Sequence, residues 1–116
     1  VIHAVMDALL TAADKPDIGV LFPDDDPTYE NADSADLLTK VKTVLTDKNL
    51  HINNISVTII AQSPKLKNFL PLMQKRMEEI LCLDRGTVSL SATTTEKLGI
   101  IGENKAVAAF AAVSVY

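Results

Sequence analysis

Apolar residues recur at helical spacing near the start of the chain, at Ile2, Val5, Met6, Leu9 and Leu10, and predict an amphipathic helix that packs on a sheet. No capping side chain precedes this helix, so its start at residue 1 predicts that further chain lies upstream. From Asp14 to Asn31 the period lapses. Pro16, Gly19, Pro23 and Pro27 are interleaved with Asp17, Asp24, Asp25 and Asp26, which predicts a loop, with Phe22 packing locally to pin it. Asp33 or Ser34 then caps a second helix, which carries Leu37, Leu38, Val41, Val44 and Leu45 on one face and ends near Asn49.

His51 to Ala61 reads as a strand, with Ile55, Val57 and Ile59 on one face and Thr58 and Ile60 on the other; apolar residues on both faces predict a central place in the sheet. The pattern breaks at Ala61-Gln62-Ser63-Pro64-Lys65, and Pro71 lies near the start of a third helix with Leu72, Met73, Met77, Ile80 and Leu81. Val88 and Leu90 alternate with Ser89 and Ser91 in a second strand that stops at Thr93. Gly99 and Gly102 mark a turn, and Ala106 to Tyr116 returns as a last strand whose small alanines let another backbone approach closely. The order helix, helix, strand, helix, strand, strand predicts an α/β fold: a mixed β-sheet with helices packed on one face, a ferredoxin-like sandwich.

Composition narrows the function classes. A chain of 116 residues, 47% hydrophobic, fits one domain with a modest core and shows no internal repeat. So small an apolar chain with an alanine-rich last strand predicts that partner subunits complete part of the core. The longest apolar run, Ala106 to Val113, is too short to span a bilayer, and no signal peptide is visible, so no membrane partner is expected. A net charge of −4 without a basic stripe predicts no nucleic-acid partner. The single cysteine, Cys82, excludes an internal disulfide framework, and its apolar neighbours predict a core position.

The stretch Ser91-Ala92-Thr93-Thr94-Thr95-Glu96-Lys97-Leu98-Gly99 interrupts a strand with three threonines, an acid and a base, which no packing scheme requires. Thr93 and Glu96 stand at capping-box spacing. Free N–H groups and the positive end of a helix dipole at a strand tip also make an anion site, and the residues alone leave the capped helix and the anion site both open. His3, one turn before Asp7, is the kind of lone helix histidine that is more often a hydrogen-bonded core or surface residue than a ligand. The acid run reads as a solvated turn or a binding loop, and Lys65 and Lys67 as solvated charges or anion contacts.

Together these segments resemble a family. Val1-Ile2-His3-Ala4, Asp17-Ile18-Gly19, Leu21-Phe22-Pro23-Asp24-Asp25-Asp26-Pro27, Ala32-Asp33-Ser34, Val57 to Lys65 and Ala92 to Gly99 are similar, in order along the whole chain, to motifs of the 2-C-methyl-D-erythritol 2,4-cyclodiphosphate synthases. The resemblance implies a lyase of non-mevalonate isoprenoid biosynthesis. It would cyclise 4-diphosphocytidyl-2-C-methyl-D-erythritol 2-phosphate with release of CMP, as a homotrimer with sites between subunits, in the bacterial cytoplasm or a plastid-type organelle. It implies that Asp17, Ile18, Gly19, Phe22, Asp24 and Asp26 contact the methylerythritol and phosphate end. Ala61, Pro64, Lys65, Leu66 and Lys67 would hold the cytidine diphosphate from a neighbouring subunit. Thr93, Thr94, Thr95 and Glu96 would meet the phosphates, with Thr94 catalytic. It implies His3 as a zinc ligand and Glu96 as a ligand of magnesium or manganese. The family's Asp-Val-His, which supplies the other zinc ligands, and its His-Ser-Asp-Gly-Asp loop both align before residue 1. Ile100 and Glu103 stand where some members carry Phe and Arg near a pore on the trimer axis, and a carboxylate there would repel an anion. Fold does not fix chemistry, so the alternative is a non-catalytic trimeric small-molecule-binding domain of the same fold.

Overall fold

The computed structural model describes residues 1–21, 33–61, 68–94, 99 and 108–116, residue 18 by its backbone alone. Helix α1 (Ile2–Ala12) forms as its spacing predicts: Val5, Met6, Leu9 and Leu10 are fully buried, and Val1 offers no side-chain cap. Where a loop was expected, the chain also forms a single helical turn, α2 (Ile18–Leu21). One turn has no apolar stripe to detect; it is held by its cap, because the N–H groups of Val20 and Leu21 both donate to the Asp17 carbonyl at 3.1 Å. Helix α3 (Ser34–Asp47) begins on the Asp33 side chain, whose Oδ1 accepts from the Ala35 N–H at 3.1 Å. It buries Leu38, Val41 and Leu45.

Three strands form one mixed sheet in the order β2-β1-β3. Strand β1 (Ile52–Ile60) is central, parallel to β2 (Val88–Thr93) and antiparallel to β3 (Ala108–Val115). Its buried residues Ile55 and Val57 sit opposite Val88 and Leu90 on one side and Val113 and Ala111 on the other, so one apolar face runs across all three strands. Full burial of a side chain such as Ile55 or Val88 contributes about 1.5–3 kcal/mol. The helices cover this face. Helix α1 lies on β3, α4 (Leu70–Leu81) lies on β2, and α3 packs against both helices. Lys42 and Lys48 of α3 reach the C-terminal carbonyls of these neighbours: the Lys42 Nζ donates to the Leu81 O and the Lys48 Nζ to the Ala13 O. Cations are favoured at that end of a helix dipole.

The other sheet face is open. Ser56, Thr58, Ser89, Ser91, Phe110 and Ser114 are exposed, so the central place of β1 comes from pairing on both edges rather than from apolar cover on both faces. Two positions depart from expectation on α4. Leu72, assigned to its apolar stripe, is 68% exposed. It stands five residues before the buried Met77, about 140° around the helix. Cys82, expected in the core, is exposed, because it occupies the left-handed C-cap (φ 54°, ψ 45°), where the chain leaves the helix. The inward place goes to Glu78, which is 8% exposed. Its Oε2 accepts from the Gly86 N–H at 2.7 Å and the Val88 N–H at 3.2 Å, fastening α4 to the start of β2. Gly86 reaches φ +91° in the turn between them, a conformation that a Cβ disfavours. Among the described residues, no helix is long and apolar enough to cross a membrane.

Candidate functional site

Parallel pairing of β1 with β2 puts the C-terminal ends of both strands side by side. Ile60 stands opposite Thr93, and the Ala61 N–H donates to the Thr93 carbonyl at 3.1 Å. Ile60 also pairs with Ala108, so the chain leaves the sheet after Thr93 and re-enters it at Ala108 beside the same strand end. Ligands of α/β sheets collect in this kind of place, outside the carboxyl ends of parallel strands. The segments expected to hold the cytidine and to meet the phosphates, Ala61 to Lys67 and the threonine run, therefore begin at adjacent positions of the sheet.

The side chains at this end differ in availability. Thr93 and Thr94 are exposed. The Thr93 Oγ1 donates to the Thr94 carbonyl at 3.5 Å, at the outer limit of a hydrogen bond. Ala61 is buried with its methyl in the core, and its N–H is already engaged, so its contribution to a ligand is its carbonyl. The capping partner expected for Thr93, Glu96, lies outside the described residues, as do Phe22, Asp24, Asp26, Pro64, Lys65, Leu66, Lys67 and Thr95. Ile18 is described by backbone alone.

On the helical side of the molecule, Asp17 and Gly19 are exposed at the start of α2. The Asp17 Oδ1 accepts from the Val20 N–H at 3.1 Å. His3 is exposed near the start of α1, where an imidazole is accessible to a metal. Among the described residues, no three His, Cys, Asp or Glu side chains come close enough to hold a metal ion. A catalytic zinc needs three protein ligands, so the described residues of one chain offer His3 as a single donor and do not by themselves fit a zinc site. No described hydrogen bond links His3 or Asp17 to the strand ends. The structure thus joins Ala61 to Thr93 within one chain and places His3 on α1 and Asp17 and Gly19 at the start of α2.

A cleft of about 680 Å³ lies elsewhere, along α4 and its C-terminal turn between Pro71 and Arg85, and none of the residues expected to carry chemistry lines it. Its carboxylate, Glu78, was missed by the sequence reading. The available signal was an acid between Met77 and Leu81, in the middle of an apolar stripe.

Comparison with known proteins extends these observations over the whole chain. The profile of the YgbB family matches residues 1–116. A 2-C-methyl-D-erythritol 2,4-cyclodiphosphate synthase of Bacteroides fragilis is 44% identical over 98% of this chain and 72% of its own length. The synthase of Geobacter sulfurreducens is 44% identical over 97% of this chain and 71% of its own. Among solved structures, the Plasmodium falciparum IspF, determined as a CDP complex, superposes with a TM-score of 0.86 at 34% identity, over 98% of this chain and 68% of that one. With these matches in sequence and in fold, the chain belongs to the YgbB family.

Proposed function

We propose that the chain, as a single domain, is a lyase of non-mevalonate isoprenoid biosynthesis that converts 4-diphosphocytidyl-2-C-methyl-D-erythritol 2-phosphate to 2-C-methyl-D-erythritol 2,4-cyclodiphosphate and CMP. The names and 44% identity of its relatives support this reading. One structural observation supports it most: the Ala61–Thr93 hydrogen bond at 3.1 Å, which joins the first residue of one proposed binding segment to the first threonine of the other. In the reaction an oxygen of the 2-phosphate bonds to the nearer phosphorus of the diphosphate. The bond from that phosphorus to the CMP oxygen breaks, and CMP leaves. Two anions must approach, so positioning and charge neutralisation matter more than covalent help. Ala61, Pro64, Lys65, Leu66 and Lys67 grip the cytidine diphosphate, the kind of ligand present in the CDP complex of the Plasmodium relative. Asp17, Ile18, Gly19, Phe22, Asp24 and Asp26 hold the methylerythritol end. Thr93, Thr95 and Glu96 orient the phosphates, and the Thr94 hydroxyl donates to the oxygen on which charge develops.

Divalent metals complete the set in this reading, with His3 as one ligand of zinc and Glu96 as one ligand of magnesium or manganese. A bound cation there would neutralise diphosphate oxygens. The open sheet face, with Phe110 62% exposed, supports a homotrimer whose sites are shared between subunits. Light scattering should give the mass of three chains, and a monomer at micromolar concentration would remove the shared site. Bacterial relatives support a place in the bacterial cytoplasm, with a plastid-type organelle as the eukaryotic counterpart.

The direct test is to add the diphosphocytidyl substrate with magnesium and zinc and to follow CMP by chromatography and the cyclic diphosphate by phosphorus NMR. Both products should appear together. Tight binding of cytidine nucleotides without CMP would instead favour the non-catalytic binding domain.

A further inference from the structure

Gly19 sits inside α2, where a glycine weakens a helix and where its backbone needs none of glycine's freedom, since the positive-φ glycines among the described residues are Gly86 and Gly99. Another cause must account for it, and the space around it supplies one. A Cβ on Gly19 would lie 3.2 Å from the Asp17 Oδ1, tighter than ordinary contact. That oxygen accepts from the Val20 N–H at 3.1 Å, so the missing methyl occupies the space beside a cap that orients the Asp17 carboxylate.

We propose that Gly19 is a positioning residue for the cyclisation: by lacking a side chain it lets one oxygen of Asp17 lock onto the Val20 N–H, which aims the other oxygen at a hydroxyl of the substrate's polyol. The proposal rests on the reading that Asp17 contacts the methylerythritol end. Asp17 is exposed and free to give, so a methyl at position 19 shifts its carboxylate by the few tenths of an ångström that a 3.2 Å contact requires, which weakens the cap and alters its aim. The turn itself survives that loss. Val20 and Leu21 still donate to the Asp17 carbonyl at 3.1 Å, and alanine favours helix over glycine. Gly19→Ala therefore separates the shape of α2 from the aim of Asp17.

The test is a double-mutant cycle with Gly19→Ala and Asp17→Ala, read by CMP release in the intact protein together with thermal melting. Gly19→Ala should raise KM about tenfold, the worth of one hydrogen bond, with the loss falling on KM more than on kcat and with the melting temperature unchanged or higher. In the Asp17→Ala background the same substitution should add nothing. An equal loss in both backgrounds would mean that the methyl meets the substrate directly, and would overturn the proposal. A normal KM for Gly19→Ala beside a raised KM for Asp17→Ala would also overturn it while leaving Asp17 as a substrate contact. A normal KM for Asp17→Ala would overturn both.

Discussion

Where β2 begins, Val88 is fully buried and its N–H, with that of Gly86, donates to the buried Glu78 carboxylate; where it ends, Thr93 and Thr94 are exposed beside the end of β1. The Asn54 side chain adds a further tie at the beginning, its Nδ2 donating to the Thr87 carbonyl at 3.2 Å. Residues that fix the strand and the exposed threonines proposed to meet a ligand are thus set at opposite ends of one element. The buried end ties the strand to helix α4, and the other end presents its threonines at the surface.

Substitutions at the two ends should fail in different ways. The largest effect is expected at Thr94, where replacement by valine keeps the shape and removes the hydroxyl. CMP release should fall about 10²–10³-fold, the usual loss for one donor to a developing oxyanion, while urea denaturation moves by about 1 kcal/mol at most. Undiminished release would take Thr94 out of the chemistry. Next comes Glu78→Ala, which leaves two N–H groups at the fixed end without their acceptor and should lower unfolding free energy by about 2–4 kcal/mol. The folded fraction should keep its KM and kcat. If its rate fell as far as that of Thr94→Val, the two ends would not be separable. The smallest change is Cys82→Gly, which relieves the left-handed C-cap of the helix that carries Glu78 and should raise stability by about 0.5–1 kcal/mol, visible as a rise in melting temperature. An unchanged melting temperature would show that the cap carries no strain.

The same division explains what could be read from the sequence. The period-two alternation at Val88 and Leu90, the helical spacing from Ile2 to Leu10 and the cap at Asp33 belong to regular elements, and each was legible because burial on one face forces the pattern. The mixed sheet with helices on one face followed from their order. α2 was not legible, since a single capped turn hidden among Pro and Asp residues leaves no period. Cys82 and Leu72 were misplaced because apolar character says nothing of direction once the chain bends at a cap or a side chain falls on the outer side of a helix. Glu78 broke the rule that acids face water, and only its two N–H partners, distant from it in sequence, explain why. Within the candidate site, Thr93 and Thr94 stood out because packing alone does not ask for them. Their adjacency to Ala61 did not, because it depends on which strands pair and in which direction.

Parallel pairing of β1 with β2 also sets when this site comes into being. Parallel neighbours cannot be joined by a hairpin, so Ile55 and Val88 meet only across the crossover that carries α4, and β3 comes from further along the chain still. Each step closes a loop whose entropic cost precedes its contacts. In the proposed reading the nucleotide meets strand ends that stand side by side only once β1 and β2 have paired. Occupancy then weighs on the whole sheet: at a hundredfold excess over Kd a ligand adds about 2.7 kcal/mol against unfolding. In a chevron experiment cytidine nucleotides should slow the unfolding limb and leave the folding limb where it was.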